Sequence, residues 1–323
     1  MISMLQFLGR HATAVMASGV FIGLAAQPLA AVLRPLIFPA VWALLMFSMM
    51  RLDAGAVMAV LRRPGRLLLV LVLMLCVSPL AMWGVVSLVP LADGLKAALI
   101  LTAGSSPLMS TPAIAMILGL DGALALAVLI AATLLIPFTL PVTALILLGL
   151  DLGTDAGQLM LRLAGLVGSA ALVAFGVQKL FGRRRIEDGK VGVDGVFVIL
   201  LLVFAIGLMD GITPRLFAEP LHMLFVTALS FAVYIGLMVL AAVLFAVLWH
   251  DRPTAFSVGL AFGCRNLAII IAVLPAGADP DIMTYFALAQ FPIYIMPSLL
   301  KPVIGRILKN RTVRHISADG GPS

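Results

Sequence analysis

The chain has 323 residues, of which 63% are hydrophobic and only 11% charged, with a mean hydropathy of +1.20. A water-soluble globule is about half apolar and about a quarter charged, so a soluble enzyme, a disordered regulator and a disulfide scaffold are excluded. A net charge of +7 would elsewhere suggest nucleic acid, but the Lys and Arg residues fall in short segments between apolar runs, with no basic stripe of interleaved aromatics.

What composition leaves is an integral membrane protein. Membrane β-strands would be roughly ten residues long and alternating, whereas these apolar runs are long and unbroken, so the fold class is an all-α polytopic membrane protein. A span needs about 20 apolar residues. That ruler gives ten in chain order: Thr13–Leu33, Leu36–Met50, Gly65–Val89, Gly94–Leu118, Gly122–Gly149, Gln158–Leu180, Asp194–Ile212, Pro220–Trp249, Thr254–Leu274 and Met283–Ile304. The second is short and carries Pro39. The first has Arg10 as a charged flank in the manner of a signal peptide, but its apolar run is too long for one.

Orientation follows from Lys and Arg in the short loops. With the N-terminus cytoplasmic, sixteen lie inside and four outside, the four being Arg34, Lys96, Arg162 and Arg215. Both termini are therefore expected in the cytoplasm, in a cell inner (plasma) membrane. Spans one to six occupy residues 1–180, a basic loop with Arg183-Arg184-Arg185 occupies 181–193, spans seven to ten occupy 194–306, and a polar tail runs from 307 to 323.

Two spans are interrupted at their centres. The fourth reads Thr102-Ala103-Gly104-Ser105-Ser106-Pro107-Leu108-Met109-Ser110-Thr111-Pro112; the ninth reads Gly259-Leu260-Ala261-Phe262-Gly263-Cys264-Arg265-Asn266. Proline removes a helical hydrogen bond and clashes with the preceding turn. Non-helical backbone at membrane depth is tolerated only where protein or a water-filled cavity satisfies it. Broken spans five apart divide ten spans into two inverted five-helix repeats, with the breaks crossing at the centre. That is the sequence pointer to a carrier's central site.

Arg265 stands near the middle of the ninth span, and a charge there is costly enough to mark a functional site. All fourteen acidic residues fall in loops, in the tail or at span ends. Three ways remain to satisfy its five donors: carbonyls freed by the breaks, hydroxyls of Ser105, Ser106, Ser110 or Thr111 with water, or the carboxylate of an anionic substrate. The candidate substrate-binding set is Arg265, Asn266, Ser105, Ser106, Ser110, Thr111 and Gln290, with Tyr285 and Tyr294 as further cavity residues. Cys76 and Cys264 lie in apolar segments as neither a redox pair nor a metal site. No catalytic dyad, metal cluster or nucleotide loop is present, so no enzyme activity, cofactor or metal is expected. The small-residue pairs Gly19/Gly23 and Gly259/Gly263 are expected to pack helices within the chain.

At these residues the chain resembles the bile acid:sodium symporter family, within the wider superfamily of bile acid, arsenite and riboflavin transporters. Leu44-Leu45-Met46-Phe47-Ser48-Met49-Met50-Arg51-Leu52 is similar to the family's Met-Phe-x-Met-Gly-Leu segment. Gly104 to Pro112, followed by Thr133-Leu134-Leu135-Ile136-Pro137, is similar to its broken helix and following span, and Gly259 to Leu267 to its Glu-Val-Gly-x-Gln-Asn stretch. The resemblance implies a panel domain of spans 1, 2, 6 and 7, a core domain of spans 3–5 and 8–10, and a small organic anion as cargo. It puts the family's sodium-binding glutamate at Ala261, its glutamine at Arg265, an asparagine at Pro112 and a third-span glutamine near Met74. Sodium or proton coupling is thereby left open. So are a sodium-coupled bile acid-type symporter, an arsenite permease without its fourth-span cysteine, and a facilitative pore.

Overall fold

The computed structural model describes residues 12–50, 64–149, 155–188, 190–275, 277–296, 299–300 and 302. The tail 307–323 and the loop arginines at 51, 62 and 63 lie outside them. The described chain is helical, with no strand, and six helices are long and apolar enough to cross a membrane. It is a membrane protein.

Helix α1 spans Ala12–Ala25, and a break at Ala26 (φ −116°, ψ 69°) separates it from α2, Gln27–Leu33. A 3₁₀ turn at Arg34–Leu36 joins α2 to α3, Ile37–Met50. This corrects the expected first boundary. The first span ends at Ala25 rather than Leu33, and the second is a 24-residue run from Gln27 to Met50. Arg34-Pro35 suggested a loop, but Pro35 fits early in a tightened turn, where its missing N–H costs nothing. The true break is set by Gln27. Its amide nitrogen donates to Gly23 O (2.9 Å), Met209 O (3.1 Å) and the Thr213 hydroxyl (3.0 Å), while its oxygen accepts from Gly211 N–H (2.9 Å). Gln27→Ala strips these bonds at a part-buried site and is expected to cost about 2 kcal/mol, read as a lower melting temperature in detergent.

The third span is α4, Pro64–Val72, then a π-turn at Leu73–Val77, then α5, Ser78–Ser87. The fourth breaks as expected: α6 is Asp93–Ala103 and α7 is Thr111–Ile117, with residues 104–110 unwound between them. Helix α8, Gly122–Leu148, is bounded by its chemistry. The Asp121 carboxylate accepts from Leu124 N–H at the start, and Gly149 turns left-handed (φ 64°) at the end. Next come α9, Ala156–Asp188, kinked at Gly182, α10, Lys190–Gly207, α11, Ile212–Ala218, and α12, Pro220–Trp249. The expected ninth span is two helices, α13, Arg252–Gly263, and α14, Leu267–Val273, and the expected last one begins as α15, Pro280–Leu288.

Helices α1, α10, α3 and α9 pack side by side in that order. Gly19 and Gly23 let α1 approach α10, where an added Cβ at Gly23 would sit 2.8 Å from Ile206 O. The Trp42 indole donates to the Ser169 hydroxyl (2.9 Å), and the Gln178 amide donates to Met50 O (2.7 Å), tying α3 to α9. Helices α4 to α8 and α12 to α15 form the facing layer. In it α12 and α13 pack along their lengths, brought close at Gly259 and Gly263. Both small-residue pairs thus pack helices inside the chain.

Candidate functional site

The two unwound stretches meet and pair. Pro107 and Arg265 face each other in an antiparallel bridge. Leu108 N–H donates to Cys264 O (2.8 Å), and Asn266 N–H donates to Ser106 O (2.8 Å). Backbone that could not survive in lipid is thereby satisfied inside the protein.

Arg265 is 1% exposed and is among the largest fully buried side chains. Its Nε donates to Phe262 O (2.8 Å), Nη1 to Ser105 O (2.6 Å) and Nη2 to the Ser78 hydroxyl (3.3 Å), and its guanidinium lies 4.9 Å from the centre of the Phe262 ring. Phe262 belongs to the last turn of α13, and Ser105 follows the end of α6. The cation therefore sits where two half-helix C-termini present carbonyl oxygens and the negative ends of their dipoles. Of the three ways to hold this charge, the structure uses freed carbonyls plus one hydroxyl.

That hydroxyl was not among those expected. The Ser105 side chain folds back onto Thr102 O (2.8 Å), and Ser106 and Thr111 are fully buried. Ser78 takes the role instead. Its signal in the sequence was the Ser78-Pro79 pair inside the third span, following the π-turn.

A cavity of about 50 Å³ lies between the two layers. It gathers Ser110, Arg265, Asn266, Gln290 and Tyr294 from one side and Val41, Leu44, Phe197, Leu201 and Phe204 from the other. Ser105, Ser106 and Thr111, expected with them, do not line it, and Tyr285 borders a separate small void with Thr102 and Ser230. Gln290 is steadied by its own bond to Phe286 O (3.0 Å). Asn266 Nδ2 is buried with no hydrogen-bond partner, as are Ser106 Oγ and Thr133 Oγ1. Unmet donors and acceptors at this depth are costly. Cys264, also at the crossing, is buried and lies 2.8 Å from the Tyr234 hydroxyl, whereas Cys76 is exposed.

Of the four positions where the resemblance puts the family's polar residues, three are apolar, with Ala261 and Met74 fully buried and Pro112 in the first turn of α7, and the fourth is Arg265. A bare cation does not fit beside Phe262 O and Ser105 O either, because the guanidinium already fills that place. No protein-family model matches the chain, and no curated protein matches it.

Proposed function

We propose that the chain is a secondary carrier for a small organic anion, working by alternating access, with ten spans in two inverted halves like the bile acid:sodium symporters it resembles. The N-terminus is cytoplasmic, as the loop charges favour, and the membrane is the cell's inner one.

Internal correspondence supports the inverted halves. One fixed separation along the chain carries Asp93 onto Asp251, Pro107 onto Arg265 and Asp121 onto Asp279. The first pair stands at the heads of α6 and α13, the second is the crossing, and the third caps α8 and α15. The layer order α1, α10, α3, α9 reads the same backwards when first span is exchanged for sixth and second for seventh.

The observation that carries the function is the cavity between the layers, with an apolar wall on one side and Ser110, Arg265, Asn266 and Gln290 among the residues of the other. Such a lining suits an organic anion with one charged end and an apolar body. A buried guanidinium acts strongly on an anion in a low-dielectric surrounding. It also stands as a fixed cation in an oxygen cage, so transport is sodium-independent.

Thermal-shift screening of the purified protein against 2-oxo acids, pantoate, bile salts and arsenite, each with and without sodium, tests this. The expected result is a raised melting temperature with one organic anion class, equal in sodium and potassium, and lost in Asn266→Ala. A shift only with arsenite, only with sodium present, or with none of the compounds overturns the reading.

A further inference from the structure

The seam between the two layers holds more than one void, and they are stacked. A cleft of about 600 Å³ is lined by Arg34, Ile37, Phe38, Asp210, Arg215 and Ile271. The 50 Å³ cavity comes next along the same helices, one turn further on α3 at Val41 and Leu44 and one turn back on α14 at Leu267 and Ala268. A third void of about 70 Å³ follows, lined by Leu45, Ser48, Met49, Thr133 and Phe175. From Val41 to Ser48 the helix rises by about 10 Å.

Among the described residues Met109 alone lines both smaller chambers. It is carried on the unwound stretch 104–110, so no helix fixes its side chain from both ends. A thioether on three rotatable bonds is the apolar side chain best able to change shape in place. Each chamber is far below the roughly 300 Å³ of a small-molecule pocket, so an organic anion fits only if the layers part on one side of this residue.

We propose that Met109 is the movable partition of the pathway, closing one chamber while the layers open the other, and that the conformation seen here opens toward the Arg34 face. This rests on the carrier reading above but adds a residue and a barrier to it. The apolar partition separates the Arg265–Asn266–Gln290 chamber from the Ser48–Thr133 chamber.

Cysteine accessibility tests it without knowledge of the substrate. Val41→Cys, Met109→Cys and Ser48→Cys are made in a Cys76→Ser background and treated with the membrane-impermeant reagent 2-sulfonatoethyl methanethiosulfonate in right-side-out and inside-out vesicles. The expected pattern is labelling of Val41→Cys from the Arg34 face only, Ser48→Cys from the opposite face only, and Met109→Cys from both. Labelling of Met109→Cys from one face or neither, or of all three from both faces, overturns the proposal. A second measurement does not need a cysteine at 109. Adding Met109→Ala to Val41→Cys and to Ser48→Cys is expected to make each reactive from both faces, and unchanged one-sided labelling counts against the partition. An anion-dependent melting shift with the wrong labelling pattern would sink the partition and leave the carrier standing, whereas failure of every anion would sink the carrier itself.

Discussion

Arg265→Gln is expected to make the protein's stability depend on sodium. In the parent, Phe262 O, Ser105 O and the Ser78 hydroxyl are held by one guanidinium, which is shut away from solvent. Glutamine is shorter and uncharged and reaches at most part of that set. Unsatisfied buried acceptors cost about 1–3 kcal/mol each; relief from burying a charge offsets part of this, leaving a loss of about 3 kcal/mol. By the usual scaling that is roughly 5–10 °C in melting temperature. The same substitution leaves the carbonyl ends of α6 and α13 facing a vacated place and adds a side-chain oxygen. Unwound carbonyls and half-helix C-termini are what hold sodium in carriers built with discontinuous helices. Sodium is therefore expected to restore most of the lost stability, with potassium and an organic cation at equal ionic strength doing little. The parent should show no such difference, and Arg265→Met, which removes the charge and supplies no oxygen, should stay destabilised in every salt. A Gln variant as stable as the parent and indifferent to salt would disprove the fixed-cation role.

Gly259→Ala and Gly236→Ala are expected to move stability in opposite directions, although both lie in the α12–α13 helix pair. A Cβ at Gly259 would meet Met238 O at 2.7 Å and Ala242 Cβ at 2.7 Å. The first of these is backbone, so α13 must retreat from α12. Overpacking of this kind costs about 1–3 kcal/mol. The retreat also drags residues 264–266 away from 106–108, where the crossing's two backbone bonds are made. Gly236, on α12, has nothing within 4 Å of the same added atom. Alanine there gains about 0.5–1 kcal/mol of helix propensity. Melting temperatures of the two variants in one detergent decide it, and a stable Gly259→Ala would mean the helices have slack that the structure does not show.

The features legible in the sequence were those fixed by local chemistry. Asp121 and Gly149 bracket α8, proline-rich and glycine-rich stretches break the fourth and ninth spans, and Arg265 stands out against its apolar surroundings. What escaped depends on contacts between distant segments. The end of the first span is decided by Gln27 reaching residues 209, 211 and 213, while the nearer Arg34-Pro35 signals a loop that does not form. Ser78 and Arg265 are 187 positions apart, and nothing in either neighbourhood says that they meet. Met109 carries no signal of its own, because hydropathy cannot tell a side chain that faces lipid from one that lines two voids. The Ser and Thr residues beside the breaks were legible as polar groups, but the backbone path between half-helices decides where each hydroxyl points. Ser110 reaches the cavity, and Ser105 offers its carbonyl instead.

Three connections pass between the two layers, and residues 208–219 form the one described throughout. Asp210 is held to the first layer by Arg34 at 2.9 Å, and the Gly211 N–H is held there by Gln27. A few residues later Arg215 is bound to the other layer through Asp281 (2.9 Å), Pro280 O (3.2 Å) and the Thr284 hydroxyl. Gly211 itself has φ 77°, a conformation that only glycine adopts at no cost. On this face the chain is clamped to both bodies: Thr213 is still held to the first layer by Gln27 and by its own bond to Leu24 O (2.7 Å), so only Pro214 lies between it and Arg215. Under the proposed alternating access, rocking of one body against the other would be taken up as torsion about Pro214, between these two sets of bonds.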